Sequence, residues 1–204
     1  MSDIESRENT SAYKKRLLGR SKQRWILGLV IRWIQYIKNS MIVFWARQKG
    51  ATIGENVVMP FALARRANAN LIIGSHTSIQ SYQLDLRNRI EIGSYVIIGA
   101  ENEFLTQSHN IDSVEFEVRN FGLRIEDYVW ISTKTLILPT CRNIEFGAVV
   151  GAGSVVHKNV ERMSIVSGNP AVELRKRKEV WSDLCVESLR GGDYKAYYDV
   201  FKSI

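Results

Sequence analysis

The chain has 204 residues, which suits one globular domain with terminal extensions. Its hydrophobic content of 45% and charged content of 24% are ordinary for a folded soluble protein, and two cysteines are too few for a disulfide scaffold. A net charge of +7 favours anionic partners, but no helix-turn-helix, zinc-finger or RNA-binding motif accompanies it, so we expect no nucleic-acid partner. No signal-peptide pattern is present, and we expect a cytoplasmic location.

Residues 1–49 form a predicted N-terminal helical segment, polar and disordered over its first 12 residues. Residues 24–48 are mostly apolar, contain three tryptophans and follow a basic lead-in. A narrow polar stripe recurs every three or four positions, at Arg24, Gly28, Arg32, Gln35 and Asn39. This pattern predicts a helix that either caps the following domain or makes peripheral contact with a membrane on the cytoplasmic face, and the sequence leaves both open.

Residues 50–171 carry the dominant pattern, a repeat of six residues that is clearest after Ile125. Each unit opens with Ile or Val, and its fifth position is small or β-branched. A period of six fits neither an α-helix nor a lone strand but is typical of a parallel β-helix, in which one coil takes about 18 residues. We therefore predict a mainly β fold, with Gly147, Gly151 and Gly153 at corners that need positive φ.

The same phase extends upstream, where Ile53-Gly54, Ile73-Gly74 and Ile92-Gly93 follow one another at intervals of about one coil. It breaks from His109 to Gly122, so we predict an excursion loop over 109–122. Such insertions often carry the binding site of a repeat protein.

Residues 172–204 form the predicted C-terminal segment. A basic exit over 172–178 leads to a short helix, a break at Gly191-Gly192 and a second amphipathic helix. We expect this tail to pack on the outside of the coils or on a neighbouring copy.

Among the three histidines, His109 stands out because it lies where the coil breaks into the excursion. An imidazole at a coil edge suits a general base near neutral pH. A zinc site of the γ-carbonic-anhydrase type would need three converging histidines, and His76 and His157 fall at the wrong intervals. We also expect Cys141 to point inward as core filler, not to act as a nucleophile.

Four motifs resemble the hexapeptide-repeat acyltransferases. They are Ser108-His-Asn-Ile-Asp112, Ile125-Glu-Asp-Tyr-Val-Trp-Ile131, Gly151-Ala-Gly-Ser-Val-Val-His-Lys158 and Val166-Ser-Gly-Asn-Pro-Ala171. Within this family, the motifs are most similar to the branch that O-acetylates sugars of bacterial surface polysaccharides, which is related to the maltose and galactoside acetyltransferases. The resemblance implies a left-handed β-helix, acetyl-CoA as co-substrate without a metal, a carbohydrate acceptor, and a homotrimer with active sites between subunits.

The resemblance also implies a role for individual residues. His109 corresponds to the catalytic base, and Asp85, Arg87 and Asn110 lie near the expected acceptor pocket. The positions implied in binding the acyl donor are Trp130, Ser132, Thr133, Gly151, Ala152, Lys158 and Arg175. Four positions depart from the family pattern: Asn110 replaces an aspartate, Ser132 and Thr140 replace glycines, and His157 replaces the threonine before the lysine in galactoside acetyltransferases.

The mechanism implied is direct transfer, in which His109 deprotonates a sugar hydroxyl and a backbone N–H near Ser132 stabilises the oxyanion. Two alternatives stay open at this point. One is N-acetylation of an amino-sugar nucleotide, and the other is a non-catalytic β-helix scaffold.

Overall fold

The structure is a computed structural model that describes residues 13–14, 17–180 and 185–203. Its helices are α1 (Lys22–Gln48), α2 (Phe61–Arg66), a 3₁₀ helix (Val186–Arg190) and α3 (Tyr194–Lys202). Its strands are β1 (Thr52–Ile53), β2 (Leu71–Ile73), β3 (Ser78–Ile79), β4 (Gln83–Leu84), β5 (Ile90–Ile92), β6 (Ile97–Ile98), β7 (Glu103–Phe104), β8 (Gln107–His109), β9 (Val118–Asn120), β10 (Leu123–Ile125), β11 (Trp130–Ile131), β12 (Leu136–Ile137), β13 (Asn143–Ile144), β14 (Val149–Val150), β15 (Val155–Val156), β16 (Ser164–Gly168) and β17 (Ala171–Lys176).

The strands form a parallel β-solenoid of about six turns, as the hexad repeat predicts. The chain visits three sheets in turn: a first sheet of β1, β2, β5, β10 and β13, a second of β3, β6, β11, β14 and β16, and a third of β4, β7, β12 and β15. Strand β17 folds back antiparallel on β16 at the end of the second sheet. Three corners therefore run along the solenoid, named below by the sheets that they join.

The core is built from the two inward positions of each hexad. The aliphatic first positions stack in register, with Ile92 beside Ile125 and Ile125 beside Ile144. All six first positions from Ile125 to Val156 are at most 2% exposed. The fifth positions are equally buried, and they are Val129, Thr135, Cys141, Ala148, Ser154 and Val160. Small side chains are needed there because the chain turns around them at the corners.

The corner between the first and second sheets uses positive φ in every coil, but mostly without glycine. The residues concerned are Asn56, His76, Tyr95, Tyr128, Gly147 and Met163. Gly147 and Gly153 have the predicted positive φ, at 68° and 69°, whereas the prediction for Gly151 was wrong. A Cβ on Gly151 would lie 2.5 Å from Ser167 Oγ, so a close approach between coils explains that glycine.

Helix α1 covers the start of the solenoid with its C-terminal third. Ile42, Val43 and Ala46 belong to the same buried cluster as Leu63 and Ala64 of α2 and the aliphatic residues of the coils. In the first coil, helix α2 takes the place in the chain where later coils have their strand of the third sheet. This packing fits the capping role for α1, and it leaves most of the helix outside the core.

The excursion is a β-hairpin that leaves the solenoid at the third-to-first corner. Strands β8 and β9 pair antiparallel, with His109 opposite Val118, and the Phe121 N–H donates to the Thr106 carbonyl at 2.9 Å. The predicted loop over 109–122 therefore begins two residues earlier and is largely a strand pair. Backbone N–H and C=O groups that cannot pair with the neighbouring coils form hydrogen bonds with one another across the hairpin.

The C-terminal segment also contains more β-structure than expected. The basic exit over 172–178 is mostly β17, because its backbone pairs with the last strand of the second sheet. The break at Gly191-Gly192 is present, and Gly191 ends the 3₁₀ helix with φ of 70°. Helix α3 then packs on α1. Trp181 and Leu184 of the predicted short helix lie outside the described residues, as do residues 1–12.

Candidate functional site

His109 lies at the end of β8, on the exposed side of the hairpin. Its Nδ1 is 2.7 Å from the backbone carbonyl oxygen of Phe116. Since a carbonyl oxygen only accepts, Nδ1 carries the proton, and the lone pair of the neutral ring resides on Nε2. The Phe116 ring stacks on the imidazole at 5.2 Å between centroids, which holds the ring plane.

Asn110 ties the two arms of the hairpin together next to His109. Its side-chain amide donates to Glu117 Oε1 at 2.5 Å, and its backbone N–H donates to the Glu117 carbonyl at 2.9 Å. Hydrogen bonds from Asn110 and Ser113 lower the pKa of Glu117 to about 2, so this carboxylate is ionised at neutral pH. Asn110 thus holds a carboxylate that the second arm of the hairpin supplies.

Asp85 and Arg87 line a polar pocket of about 490 Å³ on the third sheet, one coil before the hairpin. Asp85 accepts from Arg87 Nε at 2.7 Å and Nη2 at 2.9 Å, and from the Thr106 N–H at 3.0 Å. Burial alone would raise the pKa of Asp85, but the hydrogen bonds from Arg87 and Thr106 outweigh it and lower the pKa. Both carboxylate oxygens are engaged, so Asp85 positions Arg87, whose side chain is 63% exposed and faces the pocket.

Trp130 and Arg175 lie in one groove of about 900 Å³ on the outer face of the second sheet. Trp130, Val149 and Ile165 are successive rungs of that sheet, and Arg175 is paired with Ile165. The floor of the groove is therefore apolar. Charged residues complete its lining, namely the cations Arg175, Arg177 and Lys178 and the acidic Glu179.

Four other donor-site candidates lie at the second-to-third corner beside this groove: Ser132, Thr133, Gly151 and Ala152. The Ser132 N–H donates to the Val150 carbonyl at 2.9 Å, so it is not available to an oxyanion. The N–H of Thr133 donates to no other group in residues 17–180 or 185–203. Among the N–H groups near Ser132, that of Thr133 is therefore the candidate for binding an oxyanion, because Ser132 itself continues the ladder between coils.

Lys158 lies elsewhere, at the third-to-first corner, two coils beyond the hairpin. Within one chain the candidates thus form two groups. Lys158, His109, Asp85, Arg87 and Asn110 share the third-to-first corner. The remaining candidates occupy the second sheet and the corner that follows it.

Two residues in these sites were not predicted from the sequence. Phe116 orients His109 through its carbonyl, and main-chain groups leave no signature in a sequence. Arg177 donates to the carbonyls of Tyr128 and Gly147 at 3.0 and 3.2 Å and borders the Trp130 groove. Burial lowers the pKa of Arg177. Its place in a basic run was the one available signal.

The two cysteines do not form a nucleophilic centre. Burial raises the pKa of the Cys141 thiol to about 12, and that of the Cys185 thiol to about 12. Cys141 points into the core as predicted. No cluster of three His, Cys, Asp or Glu side chains suited to a metal occurs among the residues that the structure describes.

Comparison with known proteins identifies related acetyltransferases, although no protein-family model matches the chain. WcaF of Escherichia coli K12, named as an acetyltransferase of colanic acid biosynthesis, is 28% identical over 76% of this chain and 85% of that protein. A hexapeptide-repeat acetyltransferase from Vibrio cholerae is 30% identical over 66% of this chain and 78% of its own, with a TM-score of 0.55. The Vibrio protein has also been solved with acetyl coenzyme A.

A maltose O-acetyltransferase from Clostridium difficile 630 shares the fold. It covers 86% of this chain and 88% of its own with a TM-score of 0.50, at 21% identity. The resemblance drawn from the four sequence motifs is thus confirmed at the level of the family.

Proposed function

The chain belongs to the hexapeptide-repeat acetyltransferases, and from that premise we propose that it transfers an acetyl group from acetyl-CoA to a sugar hydroxyl in the biosynthesis of a bacterial surface polysaccharide. The observation that carries this proposal is the hydrogen bond between His109 Nδ1 and the Phe116 carbonyl. It gives an exposed imidazole one defined tautomer, with Nε2 ready to accept a proton.

The proposed reaction is a direct transfer. Nε2 of His109 takes the proton from an acceptor hydroxyl as that oxygen bonds to the thioester carbonyl carbon. The tetrahedral intermediate then collapses, the C–S bond breaks, and the imidazolium returns its proton to the departing thiolate. The N–H of Thr133 supports the oxyanion, since it is the first N–H after the strand that donates no bond within the described chain.

The donor site we propose is the groove that contains Trp130. Its apolar floor of Trp130, Val149 and Ile165 suits the uncharged arm of a coenzyme A thioester. The cations in its lining suit the phosphates of the nucleotide, because guanidinium and ammonium groups bind phosphate oxygens strongly. Arg175 is the predicted contact among them.

The acceptor site we propose is the pocket that contains Arg87. Polar groups line much of it, including Asn68, Gln83 and Glu103, as hydroxyl-rich ligands require. Asp85 joins this pocket to the hairpin by accepting from Thr106, three residues before His109. A sugar bound beside Arg87 therefore lies one coil from the hairpin, so that one of its hydroxyls can extend to within hydrogen-bonding distance of Nε2 of His109.

We further propose that the active unit is a homotrimer. His109 and the acceptor pocket lie at the third-to-first corner, whereas the donor groove and Thr133 lie on the second sheet and its following corner. A second copy that sets its second-to-third corner against the first copy's hairpin would complete the site. Closing such a head-to-tail contact into a ring gives a cyclic oligomer, and the resemblance to the family implies three copies in that ring.

The experiment for the donor is a thermal titration with acetyl-CoA, which needs no knowledge of the acceptor. A ligand at 100 times its Kd stabilises the folded state by about 2.7 kcal/mol. We expect a saturating rise in Tm that Arg175→Ala weakens and that His109→Ala retains. Lys158→Ala should weaken it as well, because in the proposed trimer the third-to-first corner of one copy faces the donor corner of the next. Lys202→Ala, which removes an exposed cation on α3, is the matched control and should titrate like the natural chain. No shift at millimolar acetyl-CoA would overturn the proposal.

Turnover tests the base. With an oligosaccharide acceptor, His109→Ala should reduce kcat by about 10²- to 10⁴-fold, the usual contribution of a general base. Near-normal turnover by a folded His109→Ala protein would remove His109 from the mechanism. Acetylation of amino-sugar acceptors but not of hydroxyl-only ones would replace O-transfer by N-transfer.

A further inference from the structure

The middle of helix α1, from Gly28 to Asn39, is amphipathic in the opposite sense to a helix of a soluble monomer. The residues that face the protein include Gly28, Arg32, Tyr36 and Asn39, which are buried or half-buried. The opposite face is apolar and open to solvent. Its stripe recurs every three or four residues at Ile26, Val30, Trp33, Ile37, Met41 and Phe44, which are between 39 and 67% exposed.

An apolar stripe of this length needs a partner, because soluble monomers rarely expose large contiguous apolar patches. The helix is long and apolar enough to cross a membrane by length and composition, with a mean hydropathy of 1.2 over 18 residues, of which 17% are buried. Length and composition do not distinguish a helix that spans a bilayer from one that lies on it. The contacts that α1 makes with the rest of the protein distinguish these two cases.

Contacts with the protein body attach α1 along its whole length. Near its start, the Trp25 ring packs on Tyr197 at 4.6 Å. In the middle, Arg32 donates to Asp193 at 3.0 Å, and that carboxylate is 2% exposed. Near its end, Ala46 is fully buried in the solenoid core. These contacts span about 30 Å of helix, so α1 lies flat against the protein and presents one side outward.

The charge distribution indicates what lies opposite that side. Ten of the 28 basic residues and none of the 21 acidic residues fall between Asn9 and Gly54. The rest of the chain, with 18 basic against 21 acidic residues, carries a net charge of −3. The net positive charge of the protein thus comes from the segment that displays the apolar stripe. An apolar face flanked by cations complements an anionic lipid surface.

We propose that α1 docks the protein flat on an anionic membrane, with the stripe at the headgroup boundary and the solenoid standing in the aqueous phase. The inverted helix, its attachment along one side and the excess of positive charge all support this orientation. A span across the bilayer would require α1 to leave Tyr197, Asp193 and the core. The proposal is independent of the acetyl-transfer reaction.

Vesicle flotation of the purified full-length protein tests the proposal. We expect it to float with vesicles of phosphatidylglycerol and phosphatidylcholine, to float poorly with phosphatidylcholine alone, and to be released partly by high salt. The double variant Trp33→Ser/Phe44→Ser should bind at least about tenfold more weakly. Both residues are at least half-exposed, so its Tm should match that of the natural chain.

The matched control is Val172→Ser/Leu174→Ser. It removes two apolar side chains that are 57 and 63% exposed on β17, at the far end of the solenoid, and should float normally. Absence of flotation by the folded natural chain would overturn the proposal, as would flotation that the Trp33/Phe44 variant does not weaken. A lower assembly mass of that variant, without vesicle binding by the natural chain, would assign the stripe to contact between copies.

Discussion

At the scale of single residues, a backbone carbonyl in the second arm of the hairpin sets the tautomer of His109 in the first arm. Phe116 has a positive φ of 51°, which turns its carbonyl towards His109. The candidate base was found from the sequence because the hexad phase stops there. The carbonyl that selects its tautomer was not, since a positive φ at phenylalanine has no sequence signature.

Asn110→Ala tests whether the bond between Asn110 and Glu117 is needed to position His109 for catalysis. Asn110→Ala removes the bond to Glu117 but leaves the His109–Phe116 bond in place. We expect kcat to fall by about three- to tenfold, because a more mobile His109 is less often aligned with the acceptor hydroxyl. The KM for acetyl-CoA should stay the same. Steady-state kinetics measures both, with Asp112→Ala on the exposed hairpin as control. A rise in the KM for acetyl-CoA alone would contradict the role in positioning.

Asp85 predicts a specific dependence of stability on pH. Its folded pKa is lowered, so its ionised form contributes stability above the unfolded pKa of about 4, and that contribution is lost as the pH falls towards the folded value. Asp85→Asn lacks this contribution. Its Tm should lie below that of the natural chain near neutral pH, and the gap should narrow below about pH 4. Scanning calorimetry at several pH values measures the gap, and a constant gap would contradict the assignment.

At the scale of the elements, spacing alone predicts the coils, because the inward positions of every hexad must be aliphatic or small. The corners are harder to predict. His76, Tyr95 and Tyr128 adopt positive φ at one corner and stack along it, with centroids 5.0 and 4.9 Å apart. Ring stacking offsets a backbone cost of about 1 kcal/mol per residue, so glycine is not required at these corners.

Two glycines separate the effects of close packing and of φ. A Cβ on Gly74 would lie 2.6 Å from the carbonyl carbon of Gly93, whereas one on Gly153 would meet no atom within 4 Å. Gly74→Ala should therefore destabilise the fold by about 2 kcal/mol or more through overpacking. Gly153→Ala should cost only about 1 kcal/mol, for its positive φ. Urea denaturation measures both, and equal losses would show that the coils do not limit the space at Gly74.

Helix α1 shows a different limit of sequence interpretation. Its polar stripe was recognised, and the ordinary expectation is that such a stripe faces water. Here Arg32 turns inward because Asp193, 161 residues away, supplies a buried carboxylate. The periodicity of a sequence predicts that a helix has a polar and an apolar face. Which face points outward depends on its packing partner, here Asp193, which the local sequence does not contain.

At the scale of the whole molecule, the candidate site is divided between two flanks of the chain. The individual positions could be predicted from the motifs. The resemblance also implies sites between subunits, but only the structure gives the corner at which each position lies, because the hairpin interrupts the count of hexads.

This division predicts complementation between inactive copies. His109→Ala removes the base, and Ala152→Trp obstructs the donor corner. If each site combines the hairpin of one copy with the donor corner of another, co-expressing the two variants should restore about one quarter of the natural activity, from random pairing of flanks. Acetyl transfer by the mixed oligomers measures this recovery. Activity no higher than that of either variant alone would place each complete site within one chain.

The hairpin has a consequence for how such proteins diversify. After the hairpin, Leu123 pairs with Ile90, the residue that Leu71 of the preceding coil pairs with from the other side. The chain therefore re-enters the first sheet in the same register that a coil without the hairpin would have. Sixteen residues from Gln107 to Gly122 can then vary in length or composition without shifting a rung. Evolution can exchange this segment as a cassette, and so can a protein engineer, by joining a relative's hairpin between Thr106 and Leu123.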